Sequence, residues 1–464
     1  MQFKTIETLI SQAEFLKGKT ILDLLAGKEL DKGKGAIGNI IEREGFGIAN
    51  NNDAQPDFKE LGIELKVLPL KKIAKGGFSV KERTKVCSIS YMNLVNENWT
   101  GSHARKKLNK ILFIFYHYDK NDNFNSEILD YLLFHLENSD EPLIKSDWER
   151  TKGLVIDGKA HELSESQNVV LAASRSGAGK LEEKNWPNQP NPKFSVKARQ
   201  RAFSLKPSFT KVLWTELNDK NAYDQISQKS SYTNYQELEN IILSKLNKWE
   251  GNSLKEFAEY YDLQMNSSKN AAATIVRTAL GFQGKNKPVK EIEQLGLLVK
   301  MTPCRISDMV PFESMSFPFQ PLGEIKEETR FDESEFYTYL QGFLIIPILR
   351  EKREVKDLNQ MFFGKSIIWR PNKNDLLAIQ KEWELVNKTI NEGIVLTKKI
   401  TKNRKGYILE NNLPNESKTH YIHMRPHGRD SDDIDKSLTD IEITKQCFWL
   451  NKKLIQRIIK NKRL

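Results

Sequence analysis

The sequence repeats itself, and the repeat restricts the fold more than any single motif. Asp147-Trp148-Glu149 returns as Glu382-Trp383-Glu384, and Gly158 returns as Gly393, both 235 positions later. Gly62-Ile-Glu64-Leu-Lys66-Val-Leu-Pro69 returns as Gly296-Leu-Leu298-Val-Lys300-Met-Thr-Pro303 at an offset of 234. Ser102 with Ile111-Leu112-Phe113 matches Ser334 with Phe343-Leu344-Ile345 at 232, and Ala202-Phe203-Ser-Leu205 matches Cys447-Phe448-Trp-Leu450 at 245. Ser88-Ile-Ser-Tyr91 is paired with Ser314-Met-Ser-Phe317 at 226. Five matches in one order at similar spacing indicate a duplication. A chain of 464 residues then holds two cores rather than one. Residues 221–235, polar and rich in Asn, Lys, Ser and Gln, are the expected linker between domains 1–220 and 236–464. Each copy reads as opening helices, several strands, then further helices and strands. That order predicts an α+β fold, a mixed sheet flanked by helices, and not a regular βαβ alternation.

Several functional classes are excluded at this level. The longest apolar run, Phe343 to Leu349, is strand-sized, too short to span a bilayer. The start, Met1-Gln-Phe-Lys-Thr, lacks a signal-peptide core. Cys87, Cys304 and Cys447 stand far apart with no Cys-x-x-Cys spacing, against a disulfide framework or zinc site and for a reducing cytoplasm. A net charge of +11 suits a polyanionic partner. The basic carboxyl-terminal run Lys452 to Arg463 reads as an amphipathic helix with a solvated cationic face.

The chemistry concentrates in Asp57, Glu64 and Lys66. Ile63, Leu65 and Val67 alternate with Glu64, Lys66 and Leu68, which predicts a strand with Glu64 and Lys66 on one face. Leu61-Gly62 allows a turn that returns Asp57 beside Glu64. Two carboxylates and an ammonium at one point fit metal-dependent phosphodiester hydrolysis: the carboxylates hold a hard divalent cation, and the lysine orients or deprotonates the attacking water. A solvent-facing ion pair on a strand would look the same. The duplication separates these readings. Lys66 maps to Lys300, but Glu64 falls on Leu298, Asp57 on or near Glu291, and Glu42 on Arg277. Leucine cannot ligate a metal, so one active centre per chain is expected.

Other motifs carry less. Gly33-Lys-Gly35-Ala-Ile-Gly38 matches a dinucleotide-loop pattern, but Glu29-Leu-Asp-Lys before it is no buried strand. Those glycines instead suit close approach to DNA or the start of the helix bearing Glu42, whose stripe is Ile37, Ile40 and Ile41. Ser176-Gly-Ala-Gly179-Lys180 fails as a phosphate loop at both ends, and no His-Glu-x-x-His occurs.

The first half resembles the MutH family of DNA endonucleases, within the PD-(D/E)xK nuclease class. The resemblance rests on Lys34-Gly-Ala-Ile-Gly38-Asn-Ile-Ile-Glu42, on Gln55-Pro-Asp57 through Pro69, and on Ser102-His103-Ala-Arg105-Lys106-Lys107-Leu108. It implies that Glu42 joins Asp57 and Glu64 in a magnesium site and that Lys107 lies near the scissile phosphate. In the second half Ile422-His423-Met-Arg425-Pro426-His427 resembles the family's base-reading loop, and Cys447-Phe448-Trp-Leu-Asn-Lys452-Lys453 the strand and helix start that follow it. The first-half counterpart, Ala173-Ser174-Arg175-Ser176, lacks the Arg-Pro pair. Two such halves are similar to the staphylococcal-type restriction endonucleases that cut at GATC. Ile156 to Glu165 and the run Lys197-Ala-Arg199-Gln-Arg201 to Lys206 are especially similar to them. The resemblance implies Mg2+-dependent double-strand cleavage leaving 5′-phosphates. Lys34, His103, Arg175, Arg199, Arg201, Arg425, His427, Lys452 and Lys453 are the DNA-contacting candidates. It further implies a bacterial cytoplasmic protein, monomeric alone and dimeric on DNA, with a cognate DNA methyltransferase as genetic partner and no membrane. A strand-nicking mismatch-repair enzyme and a non-catalytic DNA-binding protein are the alternative readings.

Overall fold

Glycine at position 62, with φ +64, lets the chain turn back on itself, so that Phe58 and Ile63 exchange backbone hydrogen bonds of 2.9 and 3.3 Å. From that turn runs β1 (Glu64–Lys72). The computed structural model describes residues 3–28, 35–48, 55–73, 76–80, 82–119, 122–138, 141–176, 190, 197–226, 232–264, 271–284, 287–400 and 407–461. The chain divides into two compact units, Met1–Leu238 with Lys287–Leu295, and Glu239–Asn286 with Gly296–Leu464.

In the first unit β2 (Phe78–Val80), β1, β4 (Lys110–His117) and β5 (Glu127–His135) form a mixed sheet in the order β2-β1-β4-β5. β1 and β4 are parallel, with Glu64 opposite Ile111 and Lys66 opposite Phe113; the other pairs are antiparallel. Leu65, Leu112 and Ile114 face the opening helices, whose Leu9, Leu16, Ile37, Ile40 and Ile41 fill the core between them. A second sheet holds β3 (Thr84–Ser88), β7 (Arg201–Leu205) and β6 (Leu171–Arg175), in that order.

The second unit repeats this plan. β8 (Leu298–Arg305) lies parallel to β10 (Phe343–Arg350), with Leu298 opposite Phe343 and Lys300 opposite Ile345. Two short strands, β11 (Phe362–Phe363) and β12 (Ile367–Trp369), pair antiparallel with β10 as β5 pairs with β4. β9 (Met315–Ser316), β16 (Gln446–Leu450) and β15 (Ile422–Pro426) repeat the second sheet. A separate hairpin, β13 (Leu396–Ile400) with β14 (Tyr407–Asn411), has no first-unit equivalent among the described residues.

Register tests the repeat pair by pair. Glu64 opposite Ile111 and Leu298 opposite Phe343 reproduce the offsets of 234 and 232. Ser102 and Ser334 both cap short helices, accepting from Arg105 N and Tyr337 N at 3.1 Å. One pairing is corrected. Thr84 and Lys85 lie opposite Leu205 and Ser204, while Met315 and Ser316 lie opposite Leu450 and Trp449, so this strand repeats at 231 and not at 226. The hydrogen-bond ladder fixes that edge strand, and its side-chain pattern is too short to do so.

The expected linker is partly packed. Tyr223 and Ile226 are buried, Lys290 N donates to Asp224 O at 2.8 Å, and Ile226 N donates to the Glu291 carboxylate at 3.0 Å. Residues 287–295 thereby belong with the first unit.

The repeated acid-Trp-Glu motif proves to be a backbone clamp. On the helix Glu141–Ile156, Asp147 accepts hydrogen bonds from Val169 N, Val170 N and Leu171 N at 2.6–3.0 Å, at the entrance to β6. On the helix Lys373–Glu392, Glu382 accepts from His420 N, Tyr421 N and Ile422 N at 2.6–3.0 Å, at the entrance to β15. Asp147 is fully buried, and burial pushes its carboxyl pKa up against the pull of those N–H groups. Asp147→Ala would strand three donors without water. It is expected to cost about 3 kcal/mol or more in urea unfolding, and the half-buried Glu382→Ala less.

Candidate active site

Strand alternation, one turn and one helix bring the candidate residues together. Leu65 N donates to Asp57 Oδ2 at 2.9 Å, holding the first carboxylate against the strand after the Gly62 turn. Lys66 Nζ lies 2.6 Å from Glu64 Oε1, as two residues on one strand face allow. The helix His103–Leu108 delivers Lys107, whose Nζ lies 2.8 Å from Glu64 Oε2 and 2.5 Å from the Gln55 carbonyl. Glu64 is 4% exposed and Lys107 6%, so the buried carboxylate has an ammonium on each oxygen. The Gln55 carbonyl had no signature in the sequence.

Glu42 arrives on a single π-helical turn, Ile41–Gly45, directly after the helix Ala36–Ile40. Such turns interrupt helices most often at functional sites. Burial, then the charges of Asp57 and Glu64, hold the Glu42 carboxyl above its ordinary value, against the opposing pull of Lys66. Asp57 is raised by burial and by Glu64, against the Leu65 N–H and the two lysines. Among the described residues no three His, Cys, Asp or Glu groups stand as a ready cage for a metal ion. Glu64 faces its lysines and Asp57 faces a backbone N–H. The donor chemistry nevertheless fits a hard cation: the three carboxylates lie close enough for their charges to act on one another, and two of them are raised, first by burial and then by that repulsion.

The DNA-contacting candidates are scattered. Lys34 lies outside the described residues. His103 opens the lysine-bearing helix one turn before Lys107, with Nε2 buried and without a hydrogen-bond partner. Arg175 and Arg199 are exposed, whereas Arg201 is buried and donates to the Ala173 carbonyl at 2.9 Å. In the second unit Arg425 stacks on Trp449, 5.0 Å from the ring centroid, and His427 meets the same ring edge-on at 5.2 Å. Lys453 is exposed, and Lys452 gives its backbone N–H to Glu416 at 3.1 Å.

Register also shows what replaced the Arg425–Trp449 pair in the first copy. Arg425 lies opposite Cys447, and Ser174 lies opposite Ala202. The positional equivalents are therefore Ser174 and Ser204, whose hydroxyls are 2.6 Å apart. Arg175 corresponds to Pro426, one residue on, and so to the opposite strand face.

The second unit has lost its charges together. Leu298 replaces Glu64, and Tyr339 stands where the helix would carry Lys107. Lys300 remains, donating to the Ser316 carbonyl at 2.5 Å, and burial without a carboxylate lowers its pKa. Glu291, the counterpart of Asp57 by sequence offset, packs with the first unit and accepts from Ile226 N, and Arg277 is buried in the helix Ala271–Ala279.

The family model described as the DNA mismatch repair enzyme MutH matches the chain twice, over residues 46–147 and 280–382. One match falls in each copy, so both halves are MutH-like. The MutH-like regions hold β1 with β4 and β8 with β10, the pairs on which the repeat was registered. The type II restriction enzyme Sau3AI of Staphylococcus aureus is 28% identical over 99% of both chains. The MutH mismatch repair protein of Vibrio cholerae serotype O1 is 28% identical over 44% of this chain and 93% of its own length. That of Haemophilus influenzae is 28% identical over 38% of this chain and 79% of its own.

Because the Glu42 pKa is raised on folding, the native state binds its proton more tightly than the unfolded chain. Stability then falls as pH rises from the ordinary glutamate value through the raised one. Glu42→Gln removes this loss. Without divalent cations its melting temperature at neutral pH should exceed the parent's by a few degrees, and the difference should close below the ordinary glutamate value.

Proposed function

We propose that the chain is a type II restriction endonuclease, hydrolysing both strands of DNA at GATC and leaving 5′-phosphate and 3′-hydroxyl ends. The observation that carries this reading is the asymmetry within one end-to-end match. The relative named as a restriction enzyme spans both copies, and only the first copy keeps the carboxylate-lysine cluster. A strand-nicking enzyme of the mismatch-repair kind is the second reading. The MutH relatives support it for less than half of the chain.

In this reading Glu42, Asp57 and Glu64 would hold Mg2+, which supplies positive charge to the pentacovalent phosphate. Lys66 would orient the attacking water by donating to it through Nζ, and Lys107 would neutralise a non-bridging phosphate oxygen. Both lysines are already fixed by Glu64, so little reorganisation is needed when DNA arrives. The first unit, Met1–Leu238 with Lys287–Leu295, serves as the catalytic domain, and the second, Glu239–Asn286 with Gly296–Leu464, as the DNA-binding effector domain. Lys34, His103, Arg175, Arg199 and Arg201 serve the first, and Arg425, His427, Lys452 and Lys453 the second. A nuclease of this kind requires a cognate methyltransferase to protect the host chromosome, and so acts in the bacterial cytoplasm. Among the described residues no helix is long and apolar enough to cross a membrane.

Glu64→Ala should abolish cleavage of a one-site plasmid in magnesium while leaving DNA affinity within a few-fold, since no base contact is removed. Lys66→Ala should do the same. Full cleavage by either variant would remove the site assignment, and products sequenced at ends other than GATC would remove the specificity.

One catalytic centre reaches one of two antiparallel scissile bonds, so double-strand cleavage calls either for two chains on the site or for sequential nicks by one chain that rebinds. If the second domain binds a further site and promotes that association, plasmids with two GATC sites are cut faster than plasmids with one. Arg425→Ala should shrink this advantage and spare the one-site rate. Equal rates, with nicked circles accumulating first, would favour sequential nicking by a monomer.

A further inference from the structure

The two copies build the short helix before the central parallel pair on one frame and fasten it differently. Ser102 accepts from Arg105 N at 3.1 Å and donates to the Trp99 carbonyl at 2.8 Å. Ser334 accepts from Tyr337 N at 3.1 Å and donates to the Phe331 carbonyl at 2.7 Å. Trp99 meets Trp148 with ring centroids 5.7 Å apart, and Phe331 meets Trp383 at 5.7 Å. The difference is Glu141. Its Oε1 accepts from Trp99 Nε1 at 2.8 Å and from Arg105 Nε at 2.9 Å. Glu141 stands seven residues before Trp148, and Leu376 seven before Trp383. The second copy therefore has Leu376, Phe331 and Tyr337 at these three places. Leu376 packs against the core, and Phe331 and Tyr337 meet edge to face at 5.2 Å.

The fastening decides where Lys107 points. At about 100° per residue, Arg105 stands roughly 200° from Lys107 around the helix axis. The bond to Glu141 thus holds the outer face while Lys107 reaches inward to Glu64. One carboxylate oxygen ties a ring before the helix to a guanidinium within it, which fixes rotation at two levels. A helix of six residues has little rigidity of its own. The side chains of Arg105 and Glu141 are 29% and 25% exposed, and an ion pair this open to water adds little to stability. Directional bonds stand here where the other copy uses apolar contact, so their work is orientation. The second copy carries Tyr339 at the place of Lys107 and has no ammonium there to aim.

We propose that Glu141 is a positioning residue for DNA cleavage. Through Arg105 and Trp99 it sets the rotation of the helix His103–Leu108 and so aims Lys107 at the site. It acts on Lys107 and not on DNA. The proposal rests on the reading of the chain as a DNA endonuclease in which Lys107 faces the scissile phosphate. The placement of Lys107 can nevertheless be measured with no DNA present.

The full-length chain, without DNA or divalent cations, is given a brief pulse of sulfo-N-hydroxysuccinimide acetate, and acetylation of each lysine is resolved by mass spectrometry. In the parent Lys107 and Lys206 are buried and should be protected, while the exposed Lys106 should react. In Glu141→Ala, Lys107 should react severalfold faster and Lys206 as slowly as before. Cleavage of a one-site plasmid in magnesium should fall by as much as about a hundredfold. Affinity for a duplex carrying the same site, by fluorescence anisotropy, should stay within a few-fold. Glu141→Gln keeps an acceptor oxygen and should restore most of the protection and most of the rate. Continued protection of Lys107 in Glu141→Ala, an equal rise at Lys206, or a cleavage loss matched by lost affinity would overturn the proposal. If Glu141→Ala melts early, the triple variant Trp99→Phe, Arg105→Tyr, Glu141→Leu installs the second copy's packing. It should melt near the parent, with Lys107 reactive and cleavage slow. Protection of Lys107 and a parental rate in that variant would equally refute the role of Glu141. A parent that cuts no DNA would count against the nuclease reading, and the acetylation would still decide whether Glu141 aims Lys107.

Discussion

A carboxylate that is almost entirely buried must find its compensation inside the protein, and for Glu64 two lysines provide it. This requirement organises the first unit. The parallel pairing of β1 with β4 sets the face on which Glu64 and Lys66 stand. The capped helix before β4 must be placed so that Lys107 reaches the second oxygen. Asp57 and Glu42 then lie close enough for each to sense Glu64, and both become harder to ionise. The chemistry and the packing are thus the same arrangement seen from two sides.

The second unit shows what happens when that requirement is lifted. Replacing Glu64 alone would leave Lys107 as a buried cation without a counter-charge, so leucine at one position and tyrosine at the other are a consistent pair of changes. Lys300 survives because a backbone carbonyl accepts a hydrogen bond from it, although burial lowers its pKa. The backbone clamps were retained in both copies, with Asp147 and Glu382 each holding three successive amides. Their task is to seat a strand that leads into the candidate base-reading loop. It does not depend on catalysis.

Much of this was legible in the residues, and the limits have physical causes. Period-two alternation placed Glu64 beside Lys66, and Leu61-Gly62 announced the turn behind Asp57. Five repeated segments gave the two-copy plan, and the apolar stripe Ile37, Ile40, Ile41 gave the burial of the helix that carries Glu42. The edge strand β9 was misaligned because two residues carry almost no pattern, and only the ladder sets their register. The clamp function of the acid before each tryptophan was hidden because its partners are backbone amides, which leave no mark in a sequence. The substitution of Ser174 and Ser204 for Arg425 and Trp449 was equally hidden. A one-residue shift between facing strands moves an arginine to the other side.

The packing of residues 287–295 against the first unit has a consequence for how the chain is made. Glu291 and Lys290 complete the surroundings of Asp224 and Ile226, yet they are encoded well after the second unit has begun. A domain synthesised first ordinarily folds first. Here the first unit lacks its last segment until the ribosome has passed residue 295. Its assembly waits on the early part of its neighbour, and a nascent chain ending near residue 235 would hold an incomplete first unit.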